Sequence, residues 1–291
     1  MYTVVLLTSP AKPSLDASFI QALRNAWGGG GIRPLAPSEA AEFTVHKRPK
    51  NWNDVWKDAQ SRNLDIAIIP TGNRRKKMLL ADMDSTMIQQ ECIDELAGEA
   101  GVGPRVADIT ARAMNGELDF NEALNERVSL LKNLPIATIQ QVIDTRITLM
   151  PGGPTLLKTM KANGAYAALV SGGFTAFTKH IATTLGFDEN RANTLLTKDD
   201  HLTGKVGHPI LGQQAKVDAL NEITTQQNIT ANDVLAVGDG ANDLSMLTLA
   251  GMGVALHAKP SVQEQCDIRI NHSDLTALLY LQGYTKAEHV L

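Results

Sequence analysis

The sequence predicts an α/β fold: a doubly wound parallel sheet with a helical insertion and a small α+β module ahead of it. Three observations predict it. From Met78 onward, short apolar runs alternate with helical patterns at the spacing of βαβ units. Between Gln89 and Met150 the pattern is helical, without a convincing strand. Residues 2–69 read as a separate β-α-β-α-β segment, small but able to fold alone.

Tyr2–Leu7 is β-branched and apolar, a strand. Ser14 is the expected N-cap of a helix whose apolar positions are Leu15, Phe19, Ile20, Leu23 and Trp27. Gly28–Gly31 is expected to end it as a flexible turn. A strand at Phe43–His46, a helix at Asn53–Arg62 and a strand at Asp65–Ile69 complete the segment. Pro70-Thr71-Gly72-Asn73 has turn chemistry, and Arg74-Arg75-Lys76-Lys77 reads as a solvated basic linker rather than a nucleic-acid contact. The expected organisation is therefore a module at 1–72, a linker at 73–77 and a main domain at 78–291.

In the main domain Met78–Ala81 is a buried strand, and residues 89–150 form the insertion. After Pro151-Gly152-Gly153 the expected order is helix Pro154–Asn163, strand Ala165–Val170 and helix Phe174–Leu185. Short polar strands within Arg191–Lys205 follow, then helix Gln213–Gln227, strand Val234–Val237 and helix Asn242–Ala250. Strands Gly253–Ala255 and Asp267–Ile270 and helix Leu275–Leu281 close the chain.

Composition narrows the function. The 291 residues allow about two domains. With 31 acidic and 27 basic residues the net charge is −4, which argues against a dedicated nucleic-acid binder. Aromatic residues are 4%, too few for base-stacking platforms. Cys92 and Cys266 are the two cysteines, so a disulfide scaffold is excluded and a cytoplasmic setting is expected. Val4–Leu7 is too short for a secretory signal, and no stretch approaches the roughly twenty apolar residues of a membrane span.

Ligands in such a sheet bind outside the carboxyl ends of the strands. There the sequence places Asp82-Met83-Asp84-Ser85-Thr86, Ser171-Gly172-Gly173, and Gly238-Asp239-Gly240-Ala241-Asn242-Asp243, with Lys216 near the start of a helix. Two carboxylates two residues apart repel unless a cation sits between them, and oxygen ligands suit Mg²⁺. An EF-hand is excluded, because its required Gly and Glu positions hold Met87 and Ile93. A dinucleotide fingerprint fails where its third glycine falls on Asp243. Taken singly, each feature has a plain alternative: Asp84 or Ser85 as a cap, Ser171–Gly173 as a turn, Lys216 as an exposed helix lysine. Taken together they are the parts that phosphoryl transfer requires: a carboxylate nucleophile, a metal site, an anion-binding turn and a lysine.

These segments, in this order, resemble the four motifs of the haloacid-dehalogenase-like (HAD) phosphatases, over roughly Lys77 to Tyr284. The resemblance is closest to the branch that hydrolyses O-phospho-L-serine, the last step of serine biosynthesis. It implies a HAD-like core with a helical cap, and Mg²⁺ as cofactor. Asp82 would be nucleophile and metal ligand. Asp84 would be general acid and base, its backbone carbonyl also on the metal. Asp239 would be the third ligand, supported by Asp243. Ser171, Gly172 and Lys216 would hold the phosphoryl group, with Asn242 against phosphate or water.

In the cap the resemblance assigns Glu91 to the substrate ammonium and Arg127 to its carboxylate, with Met114 and Phe120 forming an apolar wall. Without it both charged residues read as solvated helix positions. Cys92 lacks a paired base and reads as a packed thiol. No transition-metal spacing links the seven histidines. The N-terminal segment resembles the ACT-like module, whose roles include binding a small ligand such as serine, pairing with a second copy into a homodimer, or simply packing on the catalytic domain. The expected partner is thus a small-molecule substrate, without nucleic acid or membrane.

Overall fold

The computed structural model describes residues 1–114 and 117–291, the side chain of Met114 excepted. The expected wall position of Met114 therefore lies outside the described residues.

The N-terminal module runs β1 (Tyr2–Leu7), α1 (Ala17–Ala26), β2 (Arg33–Ala36), β3 (Ala40–Val45), α2 (Trp52–Ser61) and β4 (Asp65–Pro70). Its strands form an antiparallel sheet in the order β2-β3-β1-β4, a split β-α-β plan with one strand more than expected. The extra strand, β2, is four residues long, contains Pro34 and lies at an edge, where proline is tolerated and no alternation shows. Val4, Leu6, Ile20, Phe43, Trp52 and Ile66 build the module's core. Asp16 caps α1 in place of Ser14, its carboxylate accepting the Ser18 N–H at 2.8 Å. The glycine run is not a free turn, since the Gly30 N–H donates to the Thr44 carbonyl at 2.9 Å.

The basic run is solvated only at Arg75 and Lys77, which are exposed; Arg74 and Lys76 are not. Arg74 donates to Glu42 at 2.7 Å and to the carbonyls of Tyr280 and Leu281. Lys76 is 8% exposed and donates to the Asn232 carbonyl at 2.6 Å, while the Arg75 guanidinium lies over the Tyr284 ring. Cations with this many partners can leave water, which composition alone does not reveal.

The rest of the chain begins with β5 (Met78–Ala81). The insertion holds α3 (Cys92–Glu99), α4 (Gly103–Met114), α5 (Phe120–Ser129) and α6 (Ala137–Thr145). Then come α7 (Gly153–Ala162), β6 (Tyr166–Phe174), α8 (Thr175–Leu185), β7 (Glu189–Asn193), β8 (Leu195–Lys198), β9 (His201–Val206) and α9 (Gln213–Gln226). The chain closes with β10 (Val234–Gly238), α10 (Leu244–Leu249), β11 (Met252–Leu256), α11 (Pro260–Gln263), β12 (Ile268–Ile270) and α12 (Ala277–Leu281).

Six strands form one sheet in the order β12-β11-β10-β5-β6-β7, in which β10–β11, β11–β12 and β6–β7 pair in parallel. All four residues of β5 are wholly buried, as expected of an inner strand covered on both faces. Chain order reverses at β5, the switch point at which such sheets bind ligands.

By packing, the chain divides into two compact units, residues 1–80, 151–167 and 220–291, and residues 81–150 and 168–219. In the first, Asp65 at the start of β4 is fully buried and accepts the backbone N–H groups of Asn271, His272 and Ser273. Glu39 accepts the Tyr280 hydroxyl at 2.6 Å and the Lys286 ammonium. In the second unit the ends of the insertion meet, Ile88 bridging to Leu149. An Asp119–Glu122 capping box starts α5. The β8–β9 hairpin bonds to the insertion through the Asn133 N–H on the Leu202 carbonyl and the Leu202 N–H on the Leu134 carbonyl.

Candidate active site

The chain leaves β5 through a tight turn. The N–H groups of Thr86, Met87 and Ile88 converge on the Met83 carbonyl, and Ser85 adopts a left-handed φ of 51°. This turn separates Asp82 from Asp84 and gives them different surroundings. Asp82 is 5% exposed; its Oδ1 accepts the Met83 N–H at 2.8 Å and pairs with Lys216 Nζ at 2.8 Å. Lys216, on the first turns of α9, is 1% exposed, so the expected alternative of a solvated lysine does not hold.

Asp84 Oδ1 accepts the Cys92 N–H at 2.8 Å, and its Oδ2 accepts the Ser171 hydroxyl at 3.3 Å. Burial pushes the Asp84 carboxyl up from its ordinary value, against the opposing bonds from Cys92 and Ser171 and the charge of Lys216. Ser171 Oγ in turn accepts the Gly173 N–H at 2.8 Å. A Cβ on Gly173 would come within 2.6 Å of Asp84 Oδ2, so only glycine allows the turn this close to the carboxylate. The strand β6 continues through this segment to Phe174, rather than ending at Val170. Its ladder with β7 shifts register between Val170 and Phe174, which takes Ser171–Gly173 out of the pairing with β7.

Beyond β10, Asp243 is fully buried and its Oδ2 accepts the Gly240 N–H at 3.0 Å. A Cβ on Gly238 would lie 2.3 Å from that carboxyl carbon, so the strand must end in glycine. Asn242 stands in the same loop, its Oδ1 beside Gly240. Asp239 and Asp243 in this loop, like Asp82 after β5, offer carboxylate oxygens, hard donors of the kind that suit a divalent cation. The Asp84 side chain is outside this group, engaged with Cys92 and Ser171.

Glu91 precedes α3 and accepts the Ser85 hydroxyl at 2.7 Å. Arg127 donates through Nε to the Ala123 carbonyl at 3.2 Å. Burial lowers its guanidinium from the ordinary value, while Asp94, Glu91 and Asp84 oppose that shift. The two expected recognition residues therefore share one electrostatic neighbourhood. The Phe120 ring covers Gly172 and Gly212 and lines a cleft of about 580 Å³ with Asn121, Leu211 and Gln214. Burial, with Asp84 nearby, drives the Cys92 thiol far up, so it is the packed thiol expected rather than a nucleophile.

Two contributors escape the sequence reading. The Cys92 backbone N–H holds Asp84, and a main-chain donor has no sequence signature. Asn193 closes β7 beneath the Ser171–Gly173 segment; it ends a strand of the sheet, as Asp82 follows one, and position was the available signal.

A family model for haloacid dehalogenase-like hydrolases matches residues 79–248. The chain belongs to this family. It is 45% identical to the phosphoserine phosphatase of Haemophilus influenzae, over 79% of this chain and 74% of that protein. The crystal structure of a HAD family hydrolase from Salmonella enterica serovar Typhi superposes with a TM-score of 0.86 at 31% identity, covering 96% of this chain and 98% of that one. A structure described as the phospho-aspartyl intermediate analogue of phosphoserine phosphatase matches at 44% identity and a TM-score of 0.66, over 71% of this chain and 98% of that one. Among the described residues no helix is long and apolar enough to cross a membrane.

Proposed function

We propose that the chain is a phosphatase that hydrolyses O-phospho-L-serine to L-serine and phosphate through an aspartyl-phosphate on Asp82, the closing reaction of a serine-forming route. The observation that carries this reading is the contrast between two carboxyls two residues apart. Asp82 is paired with Lys216, while burial favours a proton on Asp84. Environments that set two carboxyls apart assign the nucleophile and the acid.

In the first step an Asp82 oxygen attacks phosphorus, the bond from phosphorus to the seryl oxygen breaks, and Asp84 gives its proton to that oxygen. In the second, water attacks phosphorus, Asp84 takes the water proton, and the bond to Asp82 breaks to restore the carboxylate. Ser171, the peptide at Gly172 and Lys216 hold the phosphoryl oxygens and stabilise their growing charge. Mg²⁺, held by Asp82, Asp239 and the Asp84 carbonyl with Asp243 in support, would supply further charge neutralisation there. Asn242 would contact phosphate or the attacking water. Glu91 complements the substrate ammonium and Arg127 its carboxylate, and Phe120 shields them from water. We place its action in the cytoplasm, in keeping with two free cysteines, and take residues 1–72 as an accessory module.

The test is phosphate release from O-phospho-L-serine with Mg²⁺ and with chelator, beside a panel of sugar and nucleotide phosphates. Mg²⁺-dependent release confined to phosphoserine is expected, and Asp82→Asn should abolish it. Release from the panel but not from phosphoserine would overturn the assignment of Glu91 and Arg127.

A further inference from the structure

Asn193 is 1% exposed, and its amide reaches two segments far away in sequence. Its Nδ2 donates to the Gly172 carbonyl at 2.9 Å and to the Leu211 carbonyl at 3.0 Å. Its Oδ1 accepts the Leu211 N–H at 2.8 Å. Both amide hydrogens are therefore used, and one residue of the Leu211 backbone is gripped at donor and acceptor alike.

The first arm reaches the catalytic carboxyl in three links. In a trans peptide the C=O and N–H point in opposite directions. Fixing the Gly172 carbonyl on Asn193 therefore aims the Gly173 N–H the other way, where it meets Ser171 Oγ at 2.8 Å. That hydroxyl then turns its own hydrogen toward Asp84 Oδ2. The register shift in β6 makes this bond necessary, because the segment has left the ladder that would otherwise satisfy its carbonyl.

The second arm reaches Lys216. Leu211 stands two residues before the first residue of α9, and Lys216 is the fourth residue of that helix. Holding Leu211 at both backbone groups fixes where α9 begins, and so where its ammonium meets Asp82.

We propose that Asn193 is a positioning residue that sets the phosphate-holding turn and the Lys216 helix in one register, without touching substrate. This rests on the assignment of Ser171, Gly172 and Lys216 to the phosphoryl group. An amide is required: aspartate would face two carbonyls with a third acceptor, and serine is too short to span both arms.

The experiment compares the full-length enzyme with Asn193→Ser and Asn193→Asp, using an aryl phosphate as well as phosphoserine. Functional molecules are counted by stoichiometric binding of beryllium fluoride in the presence of Mg²⁺. The expected result is a kcat per titrated site at least about tenfold lower on both substrates, since misplacement on the ångström scale costs about that much or more. Looser beryllium fluoride binding should accompany it. A residue needed only for folding would lower the melting temperature and the number of titrated sites, but leave kcat per site within twofold; that result in either variant overturns the proposal. The aryl phosphate keeps this outcome separate from an error in the substrate, since a wrong substrate alters the phosphoserine arm alone.

Discussion

Lys216 Nζ lies 2.8 Å from Asp82 Oδ1, and both side chains are withdrawn from water, at 1% and 7% exposure. Breaking a buried pair by removing one partner costs about 3–5 kcal/mol, because a charge is left behind. Lys216→Met should therefore lower the melting temperature of metal-free protein and cut kcat by about a hundredfold or more. The double variant Asp82→Asn/Lys216→Met should melt higher than Lys216→Met alone, since the stranded charge is gone. Thermal unfolding of the four proteins in chelator checks this, and additive losses would rule the coupling out.

Asp84 supports a separate prediction. Burial raises its carboxyl from the ordinary value, which favours the proton that a poor leaving group needs. Asp84→Asn should slow hydrolysis of phosphoserine by about 10²–10⁴-fold. With an aryl phosphate, whose leaving oxygen needs no proton, a burst of aryl alcohol should survive and only the return to free enzyme should be slow. Rapid-quench kinetics would show the burst; equal losses in both phases would exclude the acid role.

How much of this was legible follows from what carries it. Asp82, Asp84, Ser171 and Asp239 announce themselves because charged and polar residues directly after apolar strands are conspicuous in a sheet of this kind, whereas Lys216, on α9, gains meaning only from the set. Glu91 and Arg127 were visible only through the family resemblance, since a charged residue on a helix looks solvated by default. Arg74 and Lys76 were misread for that reason: what buries them is Glu42 and the carbonyls of residues 232, 280 and 281, which adjacency in sequence does not disclose. β2 was missed because four residues with a proline carry no period. Asn193 was missed because its partners lie 21 and 18 residues away.

Arg127 separates recognition from chemistry. Its guanidinium feels the charges of Asp94, Glu91 and Asp84, and the family resemblance assigns it to the substrate carboxylate rather than to the phosphoryl group. Arg127→Ala should raise KM for phosphoserine by about tenfold to a hundredfold, the loss of a charge-assisted contact of about 1.5–3 kcal/mol. An aryl phosphate lacking a carboxylate should be hydrolysed as before. Steady-state kinetics on both substrates decides it, and parallel losses would place Arg127 in the chemistry instead.

Glu288 predicts the acid limb of the stability curve. Its carboxylate accepts the Thr285 N–H at 2.7 Å and the Thr285 hydroxyl at 2.9 Å, and it pairs with Arg75. The backbone bond, then Arg75, hold it down to about 2, below its ordinary 4.5. A carboxyl lowered on folding binds fewer protons in the native state, so its stabilisation is complete above pH 4.5 and fades as pH falls toward 2. Glu288→Gln removes that contribution, and 39% exposure of the side chain keeps the effect small. The urea midpoint of the variant should lie below that of the parent at pH 6, and the two should converge between pH 4.5 and 2. A gap that stays constant with pH would mean that Glu288 acts through its shape rather than its charge.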